Sequence, residues 1–112
     1  MYDDDRWDDP EFKRWAKSVK INSNFECAVC QKRGVYLESH HMNSWDWCVK
    51  ERFDLLNGIA LCSHHHHKFH DIFGWGGNHK WQFEQFKKSY NVLKKIAETK
   101  TANIKPSSSD PE

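Results

Sequence analysis

The chain has 112 residues, a formal net charge of +1, six Trp, seven Phe and four Cys. That length allows one small domain, able to bury only about 60–65% of its unfolded surface, so a bound metal would add stability where the core is thin. No apolar run approaches the ~20 residues that span a bilayer, and the acidic start Met1-Tyr2-Asp3-Asp4-Asp5 is unlike a signal peptide, so membrane and secretory roles are set aside. The expected setting is a reducing, cytoplasmic one, where cysteines more often bind metal than form disulfides.

Charge is unevenly spread along the chain. Residues 1–11 hold six acids against one arginine, and residues 80–105 hold seven lysines against two glutamates. The start therefore reads as an acidic segment, 1–9. The basic C-terminal stretch offers lysines that can meet a phosphate backbone or remain a solvated helix face.

In chain order, Asp8-Asp9-Pro10-Glu11 is a helix start, with an Asp cap and Pro at the first helical position. Phe12, Trp15, Ala16 and Val19 follow at helical spacing and predict a core-facing helix to about Asn22. Cys27-Ala28-Val29-Cys30 comes next. A C-x-x-C turn alone is ambiguous between zinc and redox chemistry. A redox pair would open a helix, whereas here Gln31-Lys32-Arg33-Gly34 reads as a turn into the strand Val35–Ser39, which favours zinc.

That strand delivers His40 and His41. Adjacent strand residues point to opposite faces, which suits two tasks, one ligand and one base. Residues 42–57 form a long connection of the kind that is often functional, carrying Asn43, Trp45, Trp47, Cys48 and Arg52. Trp45 and Trp47 are candidates for the core or for contact with a ligand. Asn57-Gly58 signals a turn and Ile59-Ala60-Leu61 a second strand. Ser63 is the expected cap of a helix to about Phe73, closed by Gly74-Trp75-Gly76-Gly77, on which His66 and His70 share a face. Asn78 is the expected cap of a last helix, 80–98, with Trp81, Phe83, Phe86, Leu93 and Ile96 as its apolar residues. Residues 99–112 read as a disordered polar tail.

Two metal groups emerge from the spacings. Four-coordinate zinc takes two ligand pairs on tight turns, so Cys27/Cys30 and Cys62/His65 make a Cys3His structural site. Cys48 is an alternative fourth ligand, but it lacks a spacing partner and reads more simply as a buried thiol. His40, His41, His66 and His70 remain as an open, histidine-lined group.

These residues resemble the HNH (His-Me finger) nucleases with their ββα-metal motif. The match runs Ser39-His40-His41, then Asn57 through Leu61-Cys62 to His65-His66, then Lys68-Phe69-His70, within roughly residues 10–75. The resemblance implies an α+β, zinc-stabilised ββα-metal domain (residues 10–98) with flanking N- and C-terminal helices. It implies His41 as general base, Asn57 as the residue that fixes the loop and orients His41, and His40, His66 and His70 as ligands of a catalytic ion. The wider pattern is similar to phage-encoded homing-type endonucleases, which points to a bacterial or phage-infected cell. The chain departs from the family at His65, where a second cysteine is usual. Mn²⁺, Ni²⁺ or Co²⁺ suits imidazole ligands better than Mg²⁺, although members of the family often use Mg²⁺. The implied partner is double-stranded DNA, with Arg52, Lys68, Lys80 and Lys87 as candidate backbone contacts. A homodimer or a partner protein would be needed for high sequence specificity. The rival reading is a non-catalytic, zinc-stabilised nucleic-acid-binding adaptor.

Overall fold

A computed structural model describes residues 6–103 of the chain, with side chains to residue 97. It is a small α+β domain of three helices and one two-stranded antiparallel sheet. The acidic residues 1–5 and most of the expected tail, residues 104–112, lie outside the described residues.

Helix α1 spans Pro10–Asn22 and starts as its sequence dictates. Asp9 is extended, its carboxylate accepts the Glu11 N–H at 2.8 Å, and Pro10 occupies a position with no amide to satisfy. Phe12, Trp15 and Val19 turn inward and are buried. Arg6–Asp8, at the end of the acidic segment, forms a single 3₁₀ turn that sets Trp7 edge-on to Phe12.

Strands β1 (Leu37–His41) and β2 (Gly58–Cys62) pair with Leu37 opposite Cys62 and His41 opposite Gly58. The first strand thus begins two residues later than expected and contains both histidines, because Val35 and Tyr36 stay exposed outside the ladder. Alternation then divides the sheet. Ser39 and His41 face α1, where the Ser39 hydroxyl donates to the Ala16 carbonyl at 2.6 Å. Glu38 and His40 face α2, Ser63–Phe73. Gly58 lets α1 lie close on β2, since a Cβ there would sit 2.4 Å from Val19 Cγ2 and 2.7 Å from Trp15 Cζ2. Gly58→Ala should therefore cost about 1–3 kcal/mol, as overpacked cores do, measured by urea denaturation. A stability equal to wild type would show that α1 is free to shift.

The connection between the strands is not an open loop. It carries 3₁₀ turns at Val49–Glu51 and Leu55–Asn57 and is tied to α1 by the Trp15 indole N–H, which donates to the Asp54 carbonyl at 2.9 Å. Two expected caps are corrected. Helix α2 begins at Ser63 itself, and Cys62 holds the cap position without a side-chain bond, because the strand runs directly into the helix with Cys62 still extended. Asn78 does not cap α3 (Lys80–Asn103) but is buried. Its amide donates to the Gly74 carbonyl and to Gln82 Oε1. The first α3 amide, Lys80 N–H, donates instead to Asn43 Oδ1, and the His79 N–H just before the helix donates to Gln82 Oε1, both at 2.8 Å.

Helix α3 also runs past the expected end at Glu98, through Asn103. At ~1.5 Å per residue such a helix is about 36 Å long. The domain is 56 × 26 × 25 Å, so α3 outruns the core it packs on. Phe83 and Phe86 are buried against Phe69, but Trp81, Leu93 and Ile96 are exposed, contrary to the apolar face read from the sequence. No described helix is long and apolar enough to cross a membrane.

Candidate metal centres and the histidine groove

The turn after α1 and the β2–α2 junction bring Cys27, Cys30, Cys62 and His65 together, their ligand atoms all within 4.8 Å of one another. His65 Nδ1 lies 3.3 Å from Cys62 Sγ and 3.8 Å from Cys27 Sγ, and the Cys30 and Cys62 sulfurs are 4.0 Å apart. A tetrahedron with Zn–S near 2.3 Å has S–S edges of roughly 3.8 Å, so this Cys3His group has the dimensions and donor chemistry of a zinc site. Burial opposes the Cys27 thiolate, but backbone N–H groups, Val29 among them, outweigh it and hold this thiol below its ordinary pKa. Burial lowers His65, which favours the neutral imidazole that ligation requires. The described cysteines form no disulfide, and Cys48 is buried in the connection outside this group.

One residue further along α2, His66 joins a second group with His40 and His70, whose ligand atoms also lie within 4.8 Å. Two outer contacts set the tautomers. His66 Nδ1 bonds the Glu38 carboxylate, and His70 Nδ1 donates to the Gly74 carbonyl at 2.8 Å. Both Nδ1 atoms then carry the proton, and the Nε2 lone pairs converge, 3.0 Å apart. A ring nitrogen of His40 lies in the same group, and its Nε2 is buried and without a hydrogen-bond partner. An orphaned buried nitrogen costs about 1–3 kcal/mol, and facing lone pairs repel, so the arrangement fits a cation between the three rings. Burial lowers His40 far below its usual range and lowers His70 too, keeping both rings neutral at neutral pH.

Glu38 is the residue that sequence reasoning missed. The available signal was its place two residues before His40 on one strand, which puts both on the face that α2 covers. Glu38→Gln should weaken binding of Mn²⁺ at the histidine group about tenfold or more while leaving one zinc at the cysteines, read by titration calorimetry and zinc analysis. Unchanged Mn²⁺ affinity would reduce the Glu38–His66 contact to a packing detail.

His41 stands on the other sheet face, its ring stacked on Trp15 at 3.8 Å and 11°. Its Nε2–H donates to the Arg52 carbonyl at 2.8 Å, which leaves Nδ1 with the free lone pair. Burial, reinforced by the Arg6 and Arg52 charges, lowers its pKa to about 4, with the carbonyl bond acting in the opposite direction. Asn57 ties down the connection that carries Arg52, bonding the carbonyl of the preceding residue, Glu51. Buried Asn57 accepts the Asn43 N–H at 2.8 Å and donates to the Asn43 and Glu51 carbonyls, drawing the two ends of the connection together.

The two faces meet in one groove of about 320 Å³, lined by His40, His41, His66 and His70 and flanked by Trp7, Trp45 and Trp75. Of the expected backbone contacts, Lys68, Lys80 and Lys87 are exposed on α2 and α3, and none lines the groove. Arg52 is half-buried, its guanidinium over Trp45 at 4.4 Å and its Nε donating to the Trp45 carbonyl. Trp45 is packed edge-on to His41, whereas Trp47 is exposed and donates to the Asn78 carbonyl. Comparison with protein families, with curated proteins and with solved structures finds no match to this chain.

Proposed function

We propose that the chain is a metal-dependent DNA endonuclease of the HNH (His-Me finger) kind, its β1–β2–α2 unit serving as the ββα-metal motif. The observation that carries this reading is the convergence of three imidazoles beside a fourth histidine whose Nδ1 is free, in one groove.

In this reading a water at His41 Nδ1 loses its proton to the ring as its oxygen attacks phosphorus. The P–O3′ bond breaks, its electron pair leaves on O3′, and that oxygen takes a proton from solvent water, giving a 5′-phosphate and a 3′-hydroxyl. The Arg52 carbonyl stabilises the ring once it is protonated, and Asn57 steadies the segment before it through the Glu51 carbonyl. A pKa near 4 keeps His41 neutral and ready at neutral pH, although it makes the ring a weaker base than an unburied histidine. His40, His66 and His70 would hold a divalent ion that, when bound, supplies Lewis-acid stabilisation of the phosphate and of the leaving oxygen. Cys27, Cys30, Cys62 and His65 would hold zinc as scaffold. Lys68, Lys80 and Lys87 are the proposed contacts to neighbouring phosphates.

A zinc-stabilised adaptor without turnover accounts for the Cys3His group. It gives no reason for an orphaned His40 Nε2 or for Glu38 and Gly74 fixing two tautomers whose Nε2 atoms face each other. Purified protein incubated with supercoiled plasmid should relax or linearise it with Mn²⁺ or Mg²⁺, and not once a chelator removes the ion. A plasmid left supercoiled under every divalent ion would leave the adaptor as the better reading.

A further inference from the structure

We propose that the histidine groove receives an unpaired nucleotide, its base stacked on Trp75, a reading of the substrate that rests on the nuclease assignment for the bond that is cut.

Trp75 lies on the loop between α2 and α3 with its ring flat on His70, 3.8 Å between centroids and 12° between planes. It is nonetheless 66% exposed. One face is therefore fixed by a candidate ligand while much of the ring is offered to solvent, which makes a rigid platform beside the convergent nitrogens. Trp7, from the 3₁₀ turn before α1, also lines the groove and is equally open at 65% exposed. Trp45 lines it between them in chain order, under the Arg6 guanidinium at 5.0 Å. Three indoles from three separate segments thus surround the histidines. Trp7 and Trp75 lie outside the buried core, whereas Trp45 is partly buried against it.

Size and charge decide what such a surface suits. A groove of about 320 Å³ takes a nucleotide-sized group, at the lower end of the ~300–1,000 Å³ typical of small-molecule sites. A stacked duplex is far wider and hides its base faces, showing only groove edges and phosphates. Aromatic side chains gain base contact when a nucleotide is unstacked, as in single strands or extruded bases. The lining carries one arginine, Arg6, against one aspartate, Asp46, and the lysines lie elsewhere. That is too little positive charge to track a backbone, whereas its aromatic content suits one base.

The test measures fluorescence anisotropy of short labelled DNAs with the full, zinc-loaded chain and no added second ion, gels confirming that the DNA stays intact. Three forms are compared: a single strand, the matching duplex, and that duplex with one bulged nucleotide. The single strand and the bulged duplex should bind more tightly than the plain duplex. Trp75→Ala should weaken those two roughly tenfold, the loss of one base stack, and leave the plain duplex nearly unchanged. Trp75→Phe should retain most of the affinity, since a phenyl ring still stacks on both His70 and a base. Equal loss on all three DNAs, or none on the single strand, overturns the proposal. A chain that cuts no DNA with any ion yet keeps the Trp75-dependent preference loses the nuclease reading and keeps the nucleotide site. One that cuts the single strand and the bulged duplex equally well with Trp75→Ala, and binds them as tightly, keeps the nuclease and loses the site.

Discussion

His41→Ala should cut plasmid about 10²–10⁴-fold more slowly than wild type, the usual loss when a general base is removed. The expectation follows from geometry rather than from ligand count. His41 Nε2 is committed to the Arg52 carbonyl, its Nδ1 is free, and it stands outside both ligand groups. Binding of zinc and of Mn²⁺ should persist in the variant. Stability should fall, because the ring is buried and stacked on Trp15, with Phe12 also close, at 6.1 Å. Removing it leaves a cavity that costs on the order of 2–4 kcal/mol, so rates belong at a temperature where circular dichroism shows both proteins folded. Cleavage at the wild-type rate by a folded His41→Ala chain would end the catalytic assignment for the groove.

Legibility in the sequence tracked how local each interaction is. Helix α1 was readable because Asp9, Pro10 and the Phe12–Trp15–Val19 spacing act within one element. The grouping of ligand types was readable for the same reason. Cys62 and His65 sit three residues apart at one turn, and His66 and His70 lie four apart on one helix face. Successive residues of a helix diverge by about 100°, so the neighbours His65 and His66 fall into different groups.

What escaped depends on contacts between distant segments. The cap of α3 comes from Asn43, 37 residues before Lys80, and no local pattern announces it. Asn78, which looks like a cap by composition, serves instead to hold the α2–α3 loop from inside. Glu38 becomes part of the site only when β1 is laid against α2. The exposure of Leu93 and Ile96 follows from the length of α3 relative to the core, which periodicity along one helix does not encode. The tryptophans divided in the same way. Trp15 announced its burial by spacing, while Trp75 became informative through the ring it lies on.

Cys62→Ser should unfold the domain rather than merely inactivate it. Cys62 closes β2 and precedes the first residue of α2, and its sulfur joins the turn after α1 to that junction. A bound zinc would therefore connect α1, the sheet and α2 at one point. Binding free energies of structural zinc in small domains reach about 10–16 kcal/mol, comparable to the whole stability of an ordinary domain. The apolar core that remains is small, built around Phe12, Trp15, Val19, Leu61, Phe69, Phe83 and Phe86. Serine nearly preserves the shape of cysteine, so steric loss is slight and the effect reports on ligation. Cys27→Ser should behave alike, because its sulfur is fully buried in the same group. Circular dichroism should show lost helix in both variants, zinc analysis should find less than one ion per chain, and chelator should drive wild type to the same state. A soluble Cys62→Ser chain that melts like wild type without zinc would remove the structural role. The fold would then have to stand on its aromatic core alone.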